Sequence, residues 1–249
     1  KESSAYLMNL IQFEKVSHYY NNKAALKDLS FEIEDKKITA IIGKSGSGKS
    51  TLLQIINGLI RPTKGIVKVF GNPLDYDKLI ELRRKIGYSV QGTGLFPHMS
   101  IYRNISLPGE ISGDSKHDTE RRVDTLMSFV NLPPSFKTKY PYQLSGGEQQ
   151  RVGICRAMLL EPPIFLLDEA FGALDADTKK SIHAELLELQ QAEPRTIVMV
   201  THDLNEAMRL CDNLMVLHEG TIHQYAPKNE VITNPATDFV KLFIEAHRD

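Results

Sequence analysis

The chain has 249 residues, 41% of them apolar and 24% charged, which suits a soluble globular protein of one large α/β domain or two small ones. Its net charge of −1 supplies no basic field for nucleic acid or an anionic membrane, and no apolar run reaches the ~18 residues that a bilayer span needs. Cys155 and Cys211 stand in no CxxC or Cys/His metal spacing, so they read as small buried apolar residues of a protein in a reducing cytosol.

Lys1 to Leu10 lacks the basic-then-apolar order of a secretory signal, and Met8 stands as the expected natural start. Leu10 to Phe31 alternates apolar and polar residues and predicts antiparallel strands joined through Asn21-Asn22-Lys23. Ile38 to Ile42 is a short β-branched run, and Leu52 to Ile56 has apolar residues at helical spacing. Gly65 to Phe70 predicts a strand with a turn at Gly71-Asn72-Pro73, Asp77 to Lys85 a charged helix, and Ile86 to Val90 a strand. Pro97 to Pro141 predicts an inserted lobe of polar helices punctuated by Pro108, Gly113, Pro133 and Pro134. Gly146 to Leu160 is a helix, Pro163 to Leu167 a buried strand, Asp177 to Gln191 a long helix, Thr196 to Val200 a strand and Leu204 to Leu210 a helix. Leu214 to Leu217 and Thr221 to Gln224 pair across Glu219-Gly220, and Phe239 to Ala246 is an amphipathic helix. Strands alternating with helices predict a largely parallel sheet covered on both faces, with ligands at the carboxyl ends of its strands.

Between the strand at Ile38 and the helix at Leu52 lies GKSGSGKST, Gly43 to Thr51, which fits the phosphate-binding P-loop. Gly43, Gly46 and Gly48, with Lys44, Ser45 and Ser47 between them, bring backbone N–H groups close to phosphate oxygens at a helix N-terminus. Lys49 neutralises β- and γ-phosphates, Ser50 offers a hydroxyl to Mg²⁺, and Thr51 reaches toward the α-phosphate. The competing reading is a glycine-rich turn with an incidental lysine. Lys44 adds positive charge near the phosphates or points to solvent, and the latter is expected.

Ile164 to Glu169 is an apolar strand ending in two acids. Carboxylates at a buried strand end are costly unless paired or near a metal. Beside a P-loop, Asp168 fits the Mg²⁺-holding carboxylate. Glu169 is expected to point the other way along a strand-like backbone and to activate the attacking water. An N-terminal helix charge pair is the alternative. Ser145, before Gly146 and Gly147, reads as an N-cap at a second helix end suited to phosphate.

LSGGEQQR, from Leu144 to Arg151, resembles the signature motif of ATP-binding-cassette (ABC) ATPases. The resemblance covers the chain from about Leu10 onward, with Lys44 and Ala170 standing where proline is common. It implies a RecA-like P-loop NTPase core of the α/β class, an N-terminal antiparallel β subdomain and an inserted α-helical subdomain. The expected domain spans 8–249: 8–95 for the β subdomain and P-loop part, 96–160 for the helical subdomain, and 161–249 for the rest of the core. By the same resemblance Tyr20, with Tyr19 as its rival, stacks on adenine. Gln91 is the Q-loop contact to Mg²⁺ and water, and Asp175 in GALD belongs to a loop that touches the opposite subunit. His202 in VTHD contacts the γ-phosphate. Ser145, Gly146 and Gly147 face the ATP held by a second copy packed head-to-tail.

GLFPHMS (Gly94 to Ser100), Asn104-Ile105, EQQRVGICR and EPPIFLLDEAF resemble bacterial importer ATPases serving osmoprotectants and amino acids. That implies transmembrane permease subunits as partners, a solute-binding protein acting with them, and a place on the cytoplasmic face of the membrane. Many osmoprotectant ATPases carry a further regulatory domain, for which the residues up to Asp249 leave no room. The rival class is a soluble ABC ATPase of DNA repair or translation. Against it stand one cassette, no heptad run between Thr51 and Leu144, and no basic patch. A catalytically dead scaffold would lack Glu169 or His202, and both are present.

Overall fold

The computed structural model describes residues 10–92 and 94–247; the expected start at Met8 lies outside them. In chain order the strands and helices begin with β1 (Ile11–Tyr20), β2 (Lys23–Ile33), β3 (Ile38–Ile42), α1 (Lys49–Ile56), β4 (Lys64–Val69) and β5 (Asn72–Pro73). Then come α2 (Leu79–Arg84), β6 (Ile86–Ser89), α3 (Ile101–Ser112), α4 (Lys116–Phe129), α5 (Gly146–Met158), β7 (Ile164–Asp168) and α6 (Ala176–Ala192). The chain continues through β8 (Thr196–Val200), α7 (Leu204–Leu210), β9 (Asn213–His218), β10 (Thr221–Pro227), α8 (Lys228–Thr233) and α9 (Asp238–Glu245). Two compact units result: residues up to Leu79 together with those from Arg195 onward, and Ile80–Pro194.

In the first unit β1 pairs antiparallel with β2 and with β4, and β4 with the two-residue β5. Asn21 and Asn22 both take positive φ, the backbone a tight hairpin turn demands, and asparagine tolerates it. Asn72-Pro73, expected as a turn, is instead paired with β4, because Phe70 and Gly71 with φ of 55° and 75° make the reversal. In the second sheet of this unit β3 lies between β8 and β9, parallel to both, and β10 closes it antiparallel to β9. All five residues of β3 are buried, as are all five of β8. Burial on both sides suits their largely apolar, β-branched runs, each large apolar side chain contributing about 1.5–3 kcal/mol. Helix α8 was not anticipated: its six residues are too short to show a helical period and bury only Val231.

In the second unit β6 and β7 are parallel, with Ser89 opposite Leu167. Ser100 caps α3 by accepting from the Arg103 N–H, and Gly113 ends it in the left-handed region. Pro108, expected to punctuate, lies inside α3. Its ring removes a donor, but the buried Asn104 side chain anchors the preceding turn through Phe96, Met99 and Ser100. Ser115 caps α4 and Asp175 caps α6. Helix α5 packs against β6 and α3.

Candidate functional site

The first unit carries the phosphate loop. It runs from the buried end of β3 to α1, whose N-cap is Gly48 with φ of 104° and no capping side chain. No acid stands in the first turn of α1, so nothing on this helix competes with an anion at its N-terminus. The Lys49 ammonium is buried and donates to the carbonyls of Gly43 (2.7 Å) and Lys44 (3.0 Å), drawing the loop into a ring around its own cation. The Ser47 hydroxyl is buried without a hydrogen-bond partner among the described residues, a donor poised for an oxyanion. Lys44 and Ser45 are exposed, and Lys44 thus lies toward solvent.

The loop is held from behind by a contact with no local sequence signal. Gly220, in the β9–β10 turn, donates its N–H to the Ser47 carbonyl (3.0 Å), and its own carbonyl accepts from Lys27 (2.8 Å). His202 lies two residues beyond β8. Ile41 of β3 pairs with Val200, so the chain leaves both strands at the same edge and His202, exposed, emerges where the phosphate loop begins. The two candidate tyrosines separate. Tyr20 meets His18 edge-on (4.6 Å, 83°), and His18 pairs with Leu26, whose side chain reaches Gly48. Tyr19 instead lines an open cleft with Phe13, Phe31 and Ile66.

The second unit carries the acids. The parallel register of β6 and β7 delivers Gln91 and the pair Asp168-Glu169 to one edge, where Gln91 Nε2 donates to Glu169 Oε2 (3.1 Å). Asp168 is 2% exposed and accepts from the Tyr88 hydroxyl at 3.3 Å, a partner missed in sequence because the two lie on different strands. Glu169 does not continue the strand as expected: its φ of 50° is left-handed. The carbonyl of Glu169 accepts from Gly172 N–H (3.2 Å), so a turn, not strand pairing, sets its direction. No helix follows directly, which removes the charge-pair alternative.

Ser145 caps α5 as expected, and a reciprocal box forms: Ser145 Oγ accepts from Glu148 N–H (3.3 Å) and Glu148 Oε2 from Ser145 N–H (2.7 Å). The Ser145 amide donating to its carboxylate holds Glu148 below the usual range. Gly146 is exposed, with nothing near its Cβ position. Asp175 is exposed and accepts from Thr178 N–H (2.9 Å), the bond that depresses its pKa. Among the described residues no three His, Cys, Asp or Glu side chains gather as a metal cage. Asp168 is a buried carboxylate with the Gln91 amide at the same edge, and such groups suit Mg²⁺, which keeps waters and takes its remaining oxygens from phosphates. No helix of the described residues is long and apolar enough to cross a membrane.

The family model for ABC transporters matches residues 26–172. The glycine betaine/carnitine/choline transport ATP-binding protein OpuCA of Bacillus subtilis is 40% identical over 96% of this chain and 63% of its own length. The glycine betaine uptake system ATP-binding protein YehX of Escherichia coli is 38% identical over 94% of this chain and 76% of its own. The chain thus spans less than two thirds of the first of these relatives. Among solved structures, the cassette MJ0796, seen as a post-hydrolysis dimer with ADP and Pi, superposes with a TM-score of 0.83 at 34% identity, over 88% of this chain and 98% of that one.

Proposed function

The chain belongs to the ABC transporter family, and we propose that it binds and hydrolyses Mg-ATP as the energising subunit of an importer. The pairing of Gln91 with Glu169 carries the hydrolytic reading: it joins a carboxylate able to take a proton to an amide able to orient water, just beyond a buried strand. In this reading Tyr20 rather than Tyr19 stacks on adenine, supported by its contact with His18 and through Leu26 with the phosphate loop. Gly43 to Thr51 hold the phosphates, and Lys49 exchanges the carbonyls of Gly43 and Lys44 for phosphate oxygens. Ser50, Asp168 and Gln91 would hold Mg²⁺. Bound Mg²⁺ supplies charge neutralisation at the phosphates. Glu169 takes the proton of the attacking water, and His202 steadies the γ-phosphate.

Ser145, Gly146 and Gly147 offer a capped helix end that one chain's own phosphate loop does not require. We assign it to the nucleotide of a second copy packed head-to-tail, with Asp175 at the same contact. The dimeric state of the MJ0796 cassette supports that arrangement. The permease partner is proposed to dock near Phe96, which is 40% exposed and lies beside Arg156. That docking would hold the chain at the cytoplasmic face of the membrane. The glycine betaine, carnitine and choline transport of OpuCA and the glycine betaine uptake of YehX favour quaternary-ammonium osmoprotectants as cargo, delivered by a solute-binding protein. Glu169→Gln tests the core of this reading. It should retain ATP binding and hydrolyse at least ~100-fold more slowly. Near-normal turnover would remove Glu169 as the base.

A further inference from the structure

Helix α5 is fastened to the segment that follows β7 at two points. At Gly147 an added Cβ would sit 2.8 Å from the Ala173 carbonyl oxygen, so the helix backbone lies directly on the loop. One turn further on, the half-buried Gln150 uses both ends of its amide: Nε2 donates to the Glu169 carbonyl (3.4 Å) and Oε1 accepts from the Ala173 N–H (2.9 Å). The group it holds, Glu169, is in the left-handed region that side chains other than glycine avoid, and such a conformation persists only where its surroundings impose it. Two hydrogen bonds and a backbone contact therefore join the first two turns of α5 to the peptide that aims Glu169.

We propose that Gln150 is a positioning residue: it holds the backbone of Glu169 in register with the N-terminus of α5, so that an anion seated on Ser145–Gly147 acts on the base of the same chain. The proposal rests on the reading of Glu169 as base. It adds a regulation to it. A phosphate bound at the helix end shifts or steadies α5, and Gln150 carries that to Glu169 within one chain, coupling the two nucleotides of a head-to-tail pair. No proton or electron passes through Gln150.

The test uses the purified chain with Gln150→Leu, which deletes both bonds at similar volume, and Gln150→Glu. The latter keeps the acceptor for Ala173 but sets an oxygen against the Glu169 carbonyl. Each is made alone and with Glu169→Gln, and turnover, KM and ATP affinity are measured alongside thermal melting. Both variants should lower kcat about 10-fold, the effect of one or two lost hydrogen bonds, while ATP affinity stays within about twofold. In the Glu169→Gln background the same changes should slow the residual turnover no further, because the group they position is gone. Wild-type kcat, an equal slowing in the Glu169→Gln background, or a matching loss of ATP affinity would each overturn the role of Gln150. Near-normal turnover of Glu169→Gln alone would instead overturn the base assignment and this proposal with it.

Discussion

Gly46 and Gly48 lie two residues apart in the phosphate loop, both at positive φ (76° and 104°), yet adding a methyl group at each has different consequences. At Gly46 a Cβ meets nothing within 4 Å. At Gly48 it would lie 2.5 Å from the Ala25 carbonyl oxygen and 2.8 Å from Leu26 Cδ2. Gly46→Ala therefore costs only the left-handed conformation, about 1–2 kcal/mol. Gly48→Ala adds overpacking against β2, about 1–3 kcal/mol more, because the first obstacle is backbone and cannot rotate away. For a chain of this size each kcal/mol lowers the melting midpoint by roughly 2–4 °C. Thermal unfolding followed by circular dichroism without nucleotide should thus show a drop of roughly 2–8 °C for Gly46→Ala and a clearly larger one for Gly48→Ala. Equal drops, or a larger drop for Gly46→Ala, would refute the packing of β2 against the loop.

Ser145→Arg should leave ATP binding by the monomer intact and abolish hydrolysis, measured by equilibrium binding and phosphate release; loss of binding itself would remove the two-subunit site. Cys155 and Cys211 are both buried, and burial pushes both thiols up, that of Cys211 to about 11. Because thiolate is the reacting form, a raised pKa leaves little of it at pH 8. The native chain should resist maleimide at that pH, whereas the unfolded chain takes up label at both sites; rapid native labelling would contradict the packing around them.

The parts of the site that local chemistry dictates were legible in the sequence. The β-branched run before Gly43, the Ser145 cap ahead of Gly146 and Gly147 and the Glu219-Gly220 turn each appear where the pattern places them. Illegible were features set by residues distant in the chain. The Gly220 contact to Ser47, the Tyr88 hydroxyl on Asp168 and the Gln150 bridge all depend on tertiary neighbours. Glu169 shows the limit most clearly: the apolar run through Leu167 predicts continued strand, but the turn to Gly172 reverses its backbone. Pro108 errs the other way, since a helix with a sound cap and a buried asparagine in its first turns tolerates a proline.

Sedimentation velocity of Glu169→Gln with and without Mg-ATP tests the central claim, that two copies of this chain close on the nucleotides they hydrolyse. A monomer without nucleotide that doubles in mass with Mg-ATP, each pair holding one ATP per chain, is the predicted result. A chain that binds ATP to saturation and stays monomeric, at concentrations where the unaltered chain turns over, would contradict it.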